Sequence, residues 1–221
     1  MVPVAPAGRN RRVRGRSPAD SLIYWRRDIS QPRFDFHCHS LASDGALTPT
    51  ALLARAAAAE VDCLALTDHD TLAGQAEARV AAQQQGVTLI SGIELSVCWD
   101  SRELHMVGLA FDPEHPAMVS LVEAQQQART VRAQRIGAKL DRAATLVDSY
   151  ERAVDLSGQQ APGRPWFAKM LLAAGRVRDE QHAFNRYLKP GQSCFVATPW
   201  ASLEEAAQAV RAVLGIDTEM K

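Results

Sequence analysis

Residues Phe34–His39 read Phe-Asp-Phe-His-Cys-His, a short strand-forming run that ends in two imidazoles two residues apart. Strand side chains alternate faces with a period of two, so His37 and His39 point the same way and can hold one metal ion between them. Asp44 follows after a turn, and Thr67-Asp68-His69-Asp70, Glu94 and His105 each arrive with a later hydrophobic run. Imidazole nitrogens together with carboxylate oxygens suit zinc, manganese or ferrous iron. The pattern predicts a chain built around a multi-metal carboxylate–imidazole centre. Asp35 falls on the opposite face of a regular strand, where it is expected to be a strand-end hydrogen-bonding residue or a group that supports a metal ligand from behind.

The elements between these clusters alternate. A strand at Phe34–Phe36 leads through Ser43-Asp44-Gly45 to Thr48-Pro49, a cap with proline at the first helical position, and the Ala- and Leu-rich helix runs to about Ala59. Val61–Thr67 reads as a buried strand and Ala73–Gln85 as a helix, with Gly86 where a left-handed cap belongs. Val87–Ile90 and Leu104–Leu109 read as two further strands. This spacing predicts β/α architecture, with polar clusters at or just beyond the carboxyl ends of the strands. His105, near the start of its strand, calls for one irregular, antiparallel excursion.

From Pro116 the pattern turns helical. Met118–Arg142 is a long Gln- and Arg-rich run, and Tyr150–Asn185 adds shorter pieces around Pro162-Gly163-Arg164-Pro165. Phe195-Val196 is expected to resume a strand, and Ser202-Leu203-Glu204-Glu205 is a capping box that opens a helix to about Leu214. The expected divisions are a basic tail over 1–31, a β/α part carrying the metal ligands over 32–115, a helical insert over 116–192 and a return to the β/α part over 193–221.

Charge is distributed unevenly. Eight arginines against two aspartates leave +6 over residues 1–33, so the remainder of this formally neutral chain carries −6. An acidic body with clustered carboxylates suits divalent cations rather than a broad grip on duplex nucleic acid. No stretch approaches the roughly 18 apolar residues of a membrane-spanning helix. No continuous apolar core follows the leading arginines, as a signal peptide would require. Four cysteines without a CxxC spacing read as free thiols in a reducing, cytoplasmic compartment.

Close metals without a serine, cysteine or lysine nucleophile point to hydrolysis by metal-activated water. The expected ligands are His37, His39, Asp44, His69, Glu94 and His105, with Glu94 bridging two ions through its two oxygens. Glu94, His69 and Asp68 form the expected catalytic group, Asp68 and Asp70 acting as orienting or capping carboxylates. Arg164 is the expected phosphate clamp, with Arg102 and Lys169 as further substrate contacts. His115 and His182 sit in polar contexts and carry no predicted role.

The runs FDFHCHSLASDG, LALTDHDTLAG, GIELS and ELHMVGL resemble the polymerase-and-histidinol-phosphatase (PHP) family of metal-dependent phosphoesterases. The likeness is greatest to bacterial enzymes with 5′-3′ exoribonuclease and 3′,5′-nucleoside bisphosphate phosphatase activity. It is collinear from about Arg33 to Leu214, and AFNRYLKPG at Ala183–Gly191 matches that subgroup's helical insert. The resemblance implies an α/β fold, an irregular seven-stranded (β/α) barrel, with two or three divalent ions, manganese foremost and iron or zinc as alternatives. It assigns His37, His39 and Glu94 to one metal, Glu94 and His105 to a second, and Asp44 with His69 to a third. The implied substrates are nucleoside bisphosphates or short RNA.

This sequence departs from the family pattern in two places. Arg164-Pro165 is followed by Trp166, where the family usually has histidine. The family also continues beyond the Ser202–Leu214 helix into a strand ending in His-Pro, further repeats and a late Asp-x-His. The 221-residue chain is therefore expected to form an incomplete barrel, lacking one ligand per metal and much less active than a complete relative. A metal-binding fragment or interaction module without turnover is one alternative, and a histidinol-phosphate-type phosphatase another.

Overall fold

In the computed structural model, which describes residues 31–214, the sheet is centred on a single long strand. The expectations for the basic leader and for the end of the chain concern residues 1–30 and 215–221, outside the described residues. β1 (Phe34–Cys38) pairs in parallel with β2 (Cys63–Leu66), and β2 with β3 (Thr88–Trp99). β3 then folds back on β4 (Arg102–Leu109), the antiparallel excursion that His105 calls for. The hairpin turns at Asp100 and Ser101, both at positive φ (46° and 61°), as a two-residue turn matched to strand twist requires.

β3 is twelve residues long, where the sequence pattern predicts a strand ending at Ile90. Its first four residues pair with β2, and Val97-Cys98 pairs with β5 (Ala201–Ser202). Gly92 makes the passage possible, because a Cβ there would press on the Leu66 carbonyl at 2.7 Å. Phe195-Val196 forms no strand. Val196 is buried among the helices, and the Phe195 carbonyl accepts a 2.7 Å hydrogen bond from Lys139 Nζ, so neither is free for a ladder. Among the described residues the sheet is open, with β1 and β4 at its edges and the Phe34 and Phe36 rings exposed on β1.

α1 (Pro49–Ala58) starts as predicted, with the Ala51 amide donating to Thr48 Oγ1, and α2 (Gln75–Gln85) ends on Gly86 at φ 70°. Both cover one sheet face, packing Leu53, Ala78 and Ala82 on Leu64 and Leu66. α3 (Pro116–Ala143) begins on His115, whose Nδ1 accepts from the Ala117 amide, and gathers α4 (Ser149–Ser157), α5 (Arg164–Ala173) and α6 (Glu180–Ala183), which runs into a π-helical turn over Phe184–Leu188. Their shared core holds Ile136, Leu140, Phe167, Leu171 and Leu188, all essentially without solvent contact. Burying a side chain of this kind stabilises by about 1.5–3 kcal/mol. The capping box forms reciprocally: Ser202 N donates to Glu205 Oε2 (2.7 Å) and Glu205 N to Ser202 Oγ (3.1 Å), opening α7 (Leu203–Leu214).

Candidate metal centre

Glu94 lies inside β3 rather than in a loop after it, and the sheet explains how it still meets the others. β2 stops at Leu66, opposite Ser91, so β3 runs on past the ends of its parallel neighbours. His69, just beyond β2, forms an isolated parallel bridge with Glu94. β4 runs the other way, which brings its early residue His105 opposite Ser96, on the face that Glu94 shares. An early position on an antiparallel strand and a late one on a parallel strand thus reach the same level.

Four imidazoles converge on this one buried carboxylate. His37 Nε2 lies 2.9 Å and His39 Nε2 3.0 Å from Glu94 Oε2, and His105 Nδ1 lies 2.8 Å from Oε1. His69 Nδ1 stands 3.6 Å from Oε2, and its Nε2 stands 3.7 Å from Asp44 Oδ2. Asp44 Oδ1 approaches His39 Nδ1 at 3.3 Å. Three overlapping sets of donor atoms result: His37–His39–Glu94, His39–Asp44–His69 and His69–Glu94–His105, each with its atoms within 4.8 Å of one another.

Burial and charge set the protonation of the metal-free centre. Burial alone would lower the pKa of His39, but hydrogen bonds to Asp44 and then Glu94 outweigh it and lift it to about 9. Burial, followed by the positive charge of Arg129, pulls His69 down to about 4. Burial works against ionised Glu94, yet its hydrogen bonds to His105, His39 and His37 hold it far below the usual carboxylate range. His69 is therefore a neutral imidazole, and its buried Nδ1 has no hydrogen-bond partner among the described residues although it lies 3.6 Å from a carboxylate oxygen. A neutral, unpartnered nitrogen beside ionised oxygens is what a ligand for a divalent cation requires, and the donor set fits one or two such ions.

The other carboxylates of the predicted group have structural work. Asp68 is buried and belongs to none of the three donor sets. It accepts from Ser40 N (2.7 Å), Ser40 Oγ (2.6 Å) and Ser43 Oγ (2.6 Å), so it organises the loop that carries Asp44. Asp70, at φ 50°, accepts from Ser96 N, Gln125 Nε2 and Arg129 Nε and fastens α3 to β3. Asp35 accepts from the His37 amide at 3.3 Å, the strand-end role its position predicts. Cys38, half-buried, donates its thiol to the Ala65 carbonyl at 3.2 Å. Burial, then Asp35 and Asp68, push its pKa up to about 12.

A cavity of about 520 Å³ opens beside the centre, lined by Asp44, His69 and His105 and by Arg129, Arg132 and Arg164. Arg164, the expected phosphate clamp, thus lines the cavity beside the centre, and it pairs with no carboxylate among the described residues. Arg102 and Lys169 are placed differently. Arg102 sits at the hairpin tip, on the strand face opposite His105, and Lys169 stacks its ammonium on the Trp166 ring at 4.1 Å; neither lines the cavity. Sequence reasoning missed Arg129 and Arg132. Both stack on Trp200, and buried Arg132 keeps Nε and Nη2, one edge of its guanidinium, without a partner. Burial, then the like charge of Arg164, lower the Arg132 pKa to about 10. The available signal was the polar stripe Gln125, Arg129 and Arg132, at i, i+4 and i+7 of a helix whose inner face should otherwise be apolar.

The PHP domain profile matches residues 35–164. A 5′-3′ exoribonuclease of Haemophilus influenzae is 44% identical over 184 residues, 83% of this chain and 66% of the relative. A 3′,5′-nucleoside bisphosphate phosphatase of Chromobacterium violaceum is 41% identical over 173 residues, 78% of this chain and 60% of the relative. The solved structure of an amidohydrolase from Chromobacterium violaceum with bound sulfate superposes with a TM-score of 0.77 at 39% identity, covering 82% of this chain and 64% of that one. The chain spans under two thirds of the length of each of these proteins. With its domain profile, its α/β arrangement and its converging ligands in agreement, the chain belongs to the PHP-domain family.

Proposed function

We propose that the centre belongs to a metal-dependent phosphoesterase that hydrolyses 3′,5′-nucleoside bisphosphates or the 5′ ends of short RNA. The observation that carries this reading is the meeting of four imidazoles and two carboxylates at a cavity whose lining also holds three arginines. His37, His39 and Glu94 would hold one ion, His69, Glu94 and His105 a second, and His39, Asp44 and His69 a third, with manganese the expected metal. Bound divalent ions supply Lewis acidity and an activated water nucleophile.

The chain's own residues bind and orient. Arg164, with no carboxylate partner among the described residues, offers its planar fork to phosphate oxygens, and Arg129 and Arg132 add positive charge in the same cavity. Ionised Glu94 and Asp44 hold their imidazole neighbours in fixed orientations. No helix among the described residues is long and apolar enough to cross a membrane. All four cysteines are free, which supports the cytoplasmic placement.

The test is hydrolysis by the purified chain with added Mn²⁺, using a 3′,5′-nucleoside bisphosphate and a 5′-phosphorylated oligoribonucleotide, with Glu94→Gln as the blank. Manganese-dependent release of phosphate or mononucleotide that disappears in the variant is expected. Equal release from both proteins overturns the reading, and metal binding without any release favours the binding-module alternative.

A further inference from the structure

The loop Ser40–Gly45 carries Asp44, and it is held from two sides. From the sheet, Asp68 takes both serine hydroxyls and the Ser40 amide. From the helical part, Gln159 Nε2, in the link between α4 and α5, donates to the Leu41 carbonyl at 2.8 Å and to the Ser43 carbonyl at 2.5 Å. Trp166 Nε1 donates to that same Ser43 carbonyl at 3.1 Å. These bonds span 116 to 123 residues of sequence and are the described hydrogen bonds between the helices and the Asp44 loop. Ser43 immediately precedes Asp44, so its carbonyl, with two acceptor positions and two donors, fixes the peptide plane from which the Asp44 side chain departs.

Trp166 is built for this task. It is buried, with Pro165 before it at the start of α5 and the Lys169 ammonium on its ring, so the indole has one orientation and one hydrogen-bond use. A buried indole N–H that lost its acceptor would be costly, and the loop is correspondingly restrained.

We infer that Trp166, together with Gln159, is a positioning residue for Asp44: the helices hold the loop through the Ser43 carbonyl and thereby set the His39–Asp44–His69 donor set, while His37, His39, Glu94 and His105 are set by the sheet. This rests on the proposed metal-binding role of the centre, and it makes one donor set depend on the helices while the other two do not.

The experiment counts and ranks Mn²⁺ bound to the metal-free protein, reading free manganese by electron paramagnetic resonance, for wild type, Trp166→Phe and Gln159→Leu. Thermal unfolding of each metal-free protein is recorded alongside. Trp166→Phe keeps an aromatic ring and removes the N–H. One manganese per chain should bind roughly three- to tenfold more weakly, the fold-change of one net hydrogen bond, with the remaining affinity unchanged. Gln159→Leu, at a half-buried position, should weaken the same ion and covers the case in which the Trp166 variant fails to fold. Unchanged manganese binding in a folded variant overturns the inference. So does equal weakening of every ion together with a lower melting temperature, which is the signature of a merely structural contact. Wild type that binds no manganese overturns the metal-binding reading itself, and this inference with it.

Discussion

Replacing Asp70 with alanine tests how the helices are fastened to the sheet. Asp70 has no solvent exposure and accepts from Ser96 N (2.7 Å), Arg129 Nε (2.6 Å) and Gln125 Nε2 (3.1 Å), while its own amide donates to the Glu94 carbonyl (2.9 Å). Asp70→Ala leaves one backbone amide, one side-chain amide and one guanidinium without their acceptor. Removing one partner of a buried ion pair costs about 3–5 kcal/mol. The Arg129 side chain is 13% exposed and borders the cavity, so it can regain some water and the low end, about 3 kcal/mol, is expected. For a chain of this size that corresponds to a fall of roughly 6–12 °C in melting temperature. Asp70→Asn keeps an acceptor and tolerates the positive φ, so it should lose less, about 1.5–3 kcal/mol. The assay is urea unfolding followed by circular dichroism, closed into a cycle with Arg129→Met. If the stranded charge causes the loss, the double variant is more stable than the sum of the single losses implies. Strict additivity, or a loss below about 1 kcal/mol for Asp70→Ala, would refute the reasoning.

Glu94→Gln should reduce bound metal to at most one ion per chain, because Glu94 belongs to two of the three donor sets; wild-type content by elemental analysis would contradict this. Metal binding should tighten with pH. His39, with its pKa raised to about 9, is protonated at neutral pH in the metal-free protein and must lose that proton to ligate, so affinity rises up to about pH 9 and levels off above it. Calorimetry in two buffers of different ionisation enthalpy would report the released proton, and its absence would sink the assignment. Gly45→Ala should force the Asp44 loop outward, since a Cβ there collides with the backbone of His39 and Ser40. The expected cost is about 1–3 kcal/mol, accompanied by weaker metal retention, both measurable on one sample by thermal unfolding with and without Mn²⁺.

Much of the centre could be read from local pattern, because period-two spacing at His37 and His39 and polar clusters after apolar runs are properties of short segments. The long-range part was hidden. The length of β3 is a case in point: Ser91-Gly92 looks like the end of a strand, and only the closeness of the Leu66 carbonyl explains a glycine in the middle of one. Asp68 and Asp70 flank His69 in sequence, yet neither enters a donor set, and three donors from elsewhere in the fold claim each carboxylate. Phe195-Val196 has the composition of a strand, but the helical core and Lys139 bind it first. Arg129 and Arg132 belong to a stripe that alone resembles an ordinary solvated helix face. What distinguishes it is the buried Asp70 opposite, and no spacing rule in the sequence joins residue 70 to residue 129.

β3 touches β2, β4 and β5 and alone brings Glu94 to the imidazoles. Side chains on a strand alternate, so sliding β3 by a single residue would turn Glu94 to the far face and present Ile93 or Leu95 to the histidines instead. A misaligned sheet would leave the His37–His39–Glu94 and His69–Glu94–His105 sets without their shared carboxylate, with Asp44 the one acid still beside the imidazoles. Two of the three donor sets are thereby tied to a single register of β3, the one that turns Glu94 toward the imidazoles.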